Sequence, residues 1–391
     1  MDRSLLKESD VVELSHTSAK MPHAVTTVGA AWLGVAHLIV DASCVSSVLR
    51  AAPPSDSLVA SALAFVLSYD LLAFAGQAPI GWLTDRLGAR RGAALIGLLC
   101  SAAALLAGHA SAVAVVILAG TGNALFHVGA GAMALAGSRG RATPAGVFVA
   151  PGALGLGLGL LLGRKFLTVP LWPWLFAIAA ACVVVLIVAT PVRGQAPTTG
   201  NAARPAFHRR EIFAVTALLA ISVAVRSLVG TVGCDTCSHS LFLMVALPFA
   251  AFAGKLTGGF LADRFGWIDL AMVALLASAP LLAFSHGDLW LALPGMLMFQ
   301  MTMPVTLAAM LRLLPLWPGF GFGLLCVALV GGTLPAYLPG GWRPQGLPLL
   351  LLVLGSAAPL YLALRFLLTP RQSQTAPSLA SGPSTLCGDD S

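Results

Sequence analysis

Twelve apolar runs, each close to the ~20 residues that carry a helix across a bilayer, follow one another along this chain. They lie at about 25–49, 58–82, 92–109, 112–137, 143–163, 170–190, 212–233, 239–261, 267–285, 289–311, 315–338 and 346–368. Pro151, Pro294, Pro304 and Pro335 interrupt several of them, which blurs individual ends without changing the count. Only 9% of the 391 residues are charged and 58% are hydrophobic, against about 25% charged in a soluble domain. A core able to hide that much apolar surface from water would outgrow a chain of this length. The expected fold is an all-α membrane protein with twelve transmembrane helices.

Loop charges give the orientation. With the N terminus inside, most Lys and Arg fall in cytoplasmic segments, including Lys7, Lys20, Arg86, Arg90, Arg91, Arg141, Arg193, Arg209, Arg210, Arg264, Arg312 and Arg365. Arg50, Arg164, Lys165 and Arg343 fall outside, while Arg226 and Lys255 lie within helices. This asymmetry places both termini in the cytoplasm of a multi-pass protein in the inner or plasma membrane. The net charge of +7 is scattered singly and in pairs between apolar runs, so nucleic acid is not an expected partner. Residues 1–24 read as a polar cytoplasmic tail without a cleavable signal. A six-helix half at 25–190, a Pro- and Arg-rich cytoplasmic linker at 191–211, a second half at 212–368 and a disordered tail at 369–391 follow.

Two segments repeat each other. Gly81-Trp-Leu-Thr-Asp85-Arg86-Leu-Gly88-Ala-Arg90-Arg91 follows the second apolar run, and Gly259-Phe-Leu-Ala-Asp263-Arg264-Phe-Gly266-Trp-Ile-Asp269 follows the eighth. The separation between Gly81 and Gly259 is the same as between Asp85 and Asp263, and between Gly88 and Gly266. Both are expected as loops after the second helix of a six-helix unit. Glycine there allows close approach or a tight turn. A carboxylate at Asp85 can sit against the positive N-terminal end of a neighbouring helix. A purely topogenic role for the basic residues is the plainer reading.

The first segment resembles the signature loop of the major facilitator superfamily, G-x-x-x-D-R-x-G-x-R-R, at every defined position. The second is degenerate, with Trp267 and Asp269 where the first has its basic pair. The resemblance covers roughly residues 25–368. It implies two parallel six-helix repeats and a conformational latch that ties the second helix to the eleventh. The latch residues it implies are Gly81, Asp85, Arg86, Gly88, Arg90, Arg91, Gly259, Asp263, Arg264 and Gly266.

Ionisable groups inside a bilayer are costly and mark function by default. His37 and Asp41 in the first run are i, i+4 and share a helix face; Asp70 lies in the second, His127 in the fourth, Arg226 in the seventh and Lys255 in the eighth. At 1.5 Å per residue, Asp41, Asp70 and Arg226 lie about 20–25 Å from the cytoplasmic end, past the midplane, and His127 lies near the middle. The first, fourth and seventh helices line the central cavity in the superfamily, so the resemblance implies that these residues face substrate. Asp41, His37 and Asp70 are the proton-coupling candidates; Arg226, His127 and Asn123 are the cavity candidates. An Asp competing for protons with substrate or with Arg226 would suit alternating access, and a fixed Asp–Arg pair across the halves is the static alternative.

Within the superfamily, Ala36-His37-Leu-Ile-Val-Asp41, Asn123-Ala-Leu-Phe-His127 and Val225-Arg226-Ser227 are similar to the branch of fosmidomycin-resistance exporters. The run Gly146-Val-Phe-Val-Ala150-Pro151-Gly152-Ala-Leu-Gly155-Leu-Gly157 also resembles the Gly-Pro motif of drug–proton antiporters, although close helix packing explains it as well. What the resemblance implies is proton-coupled efflux of small drug-like compounds. Proton symport of a small anionic metabolite and a non-transporting receptor on the same fold are the alternatives. Lipid, protons and a small-molecule substrate are the expected partners of a monomer.

Cys234-Asp-Thr-Cys237-Ser-His239 offers two thiols and an imidazole, fewer than the four ligands of a closed zinc site. It reads equally as a disulfide or as no site. No cofactor is expected: there is no Walker loop, and Gly155-Leu-Gly157-Leu-Gly159 lies in a membrane run with no strand before it.

Overall fold

The computed structural model describes residues 27–52, 59–107, 111–136, 138, 140–188, 207–237, 241–337 and 340–369. The expected tail at 1–24, most of the linker at 191–211 and all but the start of the tail at 369–391 lie outside them. His239 also lies outside, and the Cys234 and Cys237 side chains are not among those described.

Every apolar run is helical. The elements are α1 (Thr27–Ala51), α2 (Val59–Asp70), a π turn (Leu71–Ala75), α3 (Gln77–Leu87), α4 (Arg90–Ala107), α5 (Ala112–Ala136), α6 (Thr143–Gly163) and α7 (Leu171–Val188). They continue as α8 (Arg209–Cys237), α9 (Leu241–Phe265), α10 (Trp267–Ala283), α11 (Leu289–Gln300), α12 (Thr302–Leu313), α13 (Pro318–Tyr337) and α14 (Leu347–Leu368). Ten spans are long and apolar enough to cross a membrane, and shorter apolar helices stand at the sixth and ninth positions. This is a multi-pass, all-helical membrane protein. Large apolar side chains such as Trp32, Phe213, Phe249 and Trp290 point outward, and the buried polar side chains point inward, the arrangement a lipid solvent imposes.

Two runs expected as single helices are broken. In the second, the Gly76 N–H reaches back to the Leu71 carbonyl at 2.9 Å, an i→i−5 bond that widens the turn. In the tenth, Pro304 has no N–H to give to the Gln300 carbonyl, and the helix restarts after Met301.

The repeated segments are not loops, as expected from sequence, but helix ends. Gly81 to Leu87 finish α3 and Gly259 to Phe265 finish α9, so the turn itself is very short. Gly88 (φ 64°) and Gly266 (φ 101°) take the left-handed side of backbone space at that turn.

Helices of the two repeats meet in a reciprocal way. The fifth helix of the first half (α6) packs along the second of the other (α9), and α3 packs on α13, the fifth helix of the second half. A Cβ on Gly81 would stand 2.3 Å from the Gly319 carbonyl oxygen, and one on Gly259 would stand 3.0 Å from that of Ala142. The matched glycines therefore permit the matched crossings.

Candidate functional site

The carboxylates of the repeated motif do the same thing twice. Asp85 Oδ2 accepts the Phe320 N–H at 2.9 Å, at the start of α13, while its Oδ1 accepts from Arg90 Nε at 2.9 Å. Asp263 Oδ1 accepts the Ala142 N–H at 2.7 Å, and Oδ2 accepts the Thr143 N–H at 2.9 Å, at the start of α6. The Thr143 hydroxyl donates to Oδ2 as well, at 2.5 Å. Each motif Asp thus caps, from the opposite half, a helix whose first N–H groups lack partners of their own.

In the second copy, by strict register, Ile268 and Asp269 stand opposite Arg90 and Arg91, with Trp267 one residue earlier. The partner that Arg90 gives Asp85 is replaced by the Trp267 indole N–H at 3.2 Å and by Arg141 at 3.4 Å from the other half. Arg312 stacks on Trp267, 4.3 Å from its ring centre, and donates to the Gly140 carbonyl. Of the other basic latch candidates, Arg86 lies over Trp82 and Arg264 over Phe265. Arg91 is exposed.

The second constellation sits inside the first half, where α1, α5 and α6 cross. His37 and Asp41 share one face of α1, and Asn123 and His127 share one face of α5 at the same spacing. Facing each other, they form one buried cluster, each residue no more than 6% exposed. Asn123 Nδ2 donates to Asp41 Oδ1 at 3.1 Å. His37 Nε2 lies 3.1 Å from Asp41 Oδ2 and 2.7 Å from His127 Nε2. Each imidazole turns its Nδ1 to a carbonyl: His37 to Phe148 at 3.0 Å, His127 to Asn123 at 2.8 Å.

Those two carbonyls can only accept, so both Nδ1 atoms must carry hydrogen. The two Nε2 atoms are then both acceptors unless one holds a second proton. Two neutral imidazoles cannot make a 2.7 Å contact between lone pairs beside a carboxylate. A proton shared between the two Nε2 atoms satisfies that contact, so the cluster is suited to hold one.

A metal ion is the other way to bring such donors together, since one donor atom each from His37, Asp41 and His127 lie within 4.8 Å of one another. Zinc with nitrogen ligands at about 2.0–2.1 Å would hold tetrahedral neighbours about 3.3 Å apart. The Nε2–Nε2 separation of 2.7 Å is shorter and is a hydrogen-bond length.

Aromatic rings close the cluster. Phe148 lies 4.9 Å from the His37 ring, and Phe322 of α13 lies 6.3 Å from both His127 and Phe148. Gly152 backs His37 so closely that a Cβ would fall 2.3 Å from Nε2. The Phe148 carbonyl and the Phe322 ring had no sequence signal; the matching i, i+4 spacing of Asn123 and His127 was a signal left unused.

Two candidates stand apart. Asp70, partly buried beside the π turn, makes no hydrogen bond or ion pair among the described residues and does not join the cluster. Arg226, 4% exposed, pairs with neither Asp41 nor Asp70. Its NH1 donates to Met303 Sδ at 3.0 Å and its NH2 to Thr306 Oγ1 at 3.3 Å, both on α12 of its own half. The fixed Asp–Arg pair of the static alternative does not form among the described residues, because His37, His127 and Asn123 already surround the carboxylate of Asp41. A cavity of about 220 Å³ lies elsewhere, between α8, α9, α10, α11 and α14, lined by Val229, Leu247, Leu282 and His286 among others.

No protein-family model matches the chain, and no curated protein matches it. Solved structures do. The E. coli fucose:proton symporter FucP superposes with a TM-score of 0.62 at 13% identity, over 88% of this chain and 99% of that one. The fold is the major facilitator fold. The human organic anion transporter MFSD10 (TETRAN) gives 0.62 at 14% identity over 87% and 99% of the two chains. FucP in its outward conformation gives 0.58 at 14% identity over 88% and 99%. At these identities the likeness is one of fold, and none of the three is a fosmidomycin-resistance exporter. Against the major facilitator fold, the two capped crossings lie at equivalent places in its two repeats, whereas the His–Asp cluster occurs in the first repeat alone.

Proposed function

We propose that this chain is a proton-coupled secondary transporter of a small molecule, working by alternating access between halves at 25–190 and 212–368. The observation that carries the reading is the buried cluster in which His37 meets both Asp41 and His127 at hydrogen-bond distance. A buried group that must hold a proton to keep its packing can couple proton release to rearrangement. His37 and Asp41 hold that proton, and Asn123 and His127 position it. The two Asp caps act as the latch, joining the halves at the cytoplasmic end and leaving the site to open outward. The protein acts as a monomer in the inner or plasma membrane, with both termini inside.

For direction, the resemblance to fosmidomycin-resistance exporters and drug–proton antiporters supports efflux. A second reading, symport of a small anion, is favoured by Arg226 having no carboxylate partner among the described residues. The neighbours titled as a proton symporter and an organic anion transporter are in keeping with it.

The test uses the full chain in liposomes loaded with a pH-sensitive dye, challenged with a panel of small compounds. Compound-driven proton movement is expected in wild type and in Asp70→Asn, and is lost in Asp41→Asn. Protons moving against the compound mean antiport, and protons moving with it mean symport. Folded, inserted wild type that moves no protons with any compound would remove proton coupling.

A further inference from the structure

Arg226 is a poorly satisfied buried cation. A guanidinium offers five N–H donors in a rigid fork, yet this one meets only a thioether, a weak acceptor, and a threonine oxygen at 3.3 Å. That threonine donates its own hydrogen to the Thr302 carbonyl at 2.9 Å. Nε, fully enclosed, has no partner among the described residues. One turn earlier on the same face of α8, the Ser222 hydroxyl is also buried without a partner.

Lys255 of α9 adds a second positive charge. It makes no hydrogen bond or ion pair among the described residues, and it lies within electrostatic reach of Arg226 and of Asp41. It is only partly buried. Among the described residues neither cation makes an ion pair, and buried positive charge left so is expensive to keep. Every unsatisfied group here is a donor, so what is missing is an acceptor of negative charge. A fork of this shape fits a planar carboxylate or a phosphate with two parallel bonds.

We infer that Arg226, with Lys255 and Ser222, forms a subsite for an oxyanion group, a carboxylate or a phosphate, on the transported substrate. The inference rests on the transport reading above. Arg226 Nε and one terminal nitrogen hold two oxygens of the group, the terminal nitrogen turning away from Met303. Lys255 neutralises the remaining charge from the side of the proton cluster.

The test measures binding without transport. The full chain in phosphatidylcholine nanodiscs is titrated with sodium phosphate or sodium benzoate, at ionic strength held constant with sodium chloride, with neutral benzamide as control. The readout is the thermal unfolding midpoint. At least one oxyanion, and not benzamide, should raise it in a saturable way. Arg226→Gln should weaken the apparent affinity by about 30-fold or more, and Lys255→Met by about tenfold, since its partly exposed charge is screened. Lys255→Met removes no bond, so it carries the test if Arg226→Gln does not fold. No stabilisation by either anion, or equal stabilisation in both variants, overturns the subsite. So does stabilisation seen only when phosphatidylglycerol is added, which would make the ligand a lipid headgroup. Anion binding without compound-driven proton flux would sink the transport reading and leave this site standing; proton flux driven only by neutral compounds would do the reverse.

Discussion

Replacing Asp263 with Asn should loosen one of the two caps that join the halves while keeping the side chain's size. An amide keeps one acceptor oxygen. If that oxygen stays on Ala142 and Trp267, the NH2 group faces the Thr143 N–H and hydroxyl, donor against donor. The hydroxyl has a second acceptor in the Gly259 carbonyl at 3.3 Å and can turn to it. The Thr143 N–H has none. One charge-assisted bond is lost, about 1.5–3 kcal/mol, together with a negative charge at a helix N-terminus, about 0.3–1 kcal/mol. The Arg141 pair adds little, because the Arg141 side chain is 63% exposed. The net cost of about 2–4 kcal/mol falls on the joined state, since the cap runs from α9 to α6 across the two halves. It corresponds to about a 30- to 900-fold shift toward separated ends. Leu87 and Phe265 are exposed, occupy equivalent places in the two repeats, and sit at the capped end of opposite halves. Spin labels there, in a chain with its native cysteines replaced, should report a longer distance component in Asp263→Asn by pulsed dipolar spectroscopy. A distance distribution identical to the parent's would refute the latch, and a lowered unfolding midpoint with that same distribution would reduce the cap to a structural element.

Two further substitutions probe the cluster. Gly152→Ala puts a methyl 2.3 Å from His37 Nε2, so the ring must move and its contacts to His127 and Asp41 must break. Compound-driven proton flux in liposomes should fall at least about tenfold, as one lost buried hydrogen bond of about 1.4 kcal/mol would give, and an unchanged flux counts against the cluster. Phe322→Ala removes the ring that covers His127 from the opposite half; it should cost about 3–5 kcal/mol of stability and let protons leak with no compound present. Vesicles that stay proton-tight would show that Phe322 is packing and not a lid.

The helices were legible because lipid leaves a chain few choices: apolar runs of spanning length must satisfy their backbone internally. The caps were half legible. The equal spacing of two Gly-Asp-Gly triples marked them as equivalent, and a carboxylate near a helix N-terminus was expected for Asp85. That the motif is itself helical was not visible, since Gly81 and Gly259 read as loop formers until the crossings they permit are in view. Nor could the sequence show Asp263 recruiting Trp267 and Arg141, because one partner comes from the opposite half. For the cluster, His37 and Asp41 announced a shared face. Pairing that face with Asn123 and His127, and leaving Arg226 to another site, depended on how α1 and α5 rotate against each other, which no local spacing encodes. Asp70, an intramembrane carboxylate like Asp41 but with no histidine one turn away, does not join the cluster among the described residues.

The caps and the cluster share their helices, which gives the proposed cycle a mechanical path. The Phe320 N–H held by Asp85 lies two residues from the Phe322 ring that covers His127. The Thr143 N–H held by Asp263 lies on α6, just over one turn before the Phe148 carbonyl that fixes the His37 tautomer. When both caps hold, α13 presses its ring over the cluster and α6 stays closed against α9. Releasing the caps frees α13 to lift that ring, while α6 keeps His37 fixed, because α6 packs on α1 more extensively than on any other helix. In the proposed cycle the site then opens with its proton in place, and departure of the proton removes the bond between His37 and His127. In that cycle, proton occupancy and latch closure favour each other through α13. A chain with both caps weakened should accordingly hold its proton less tightly even though neither Asp85 nor Asp263 touches the cluster.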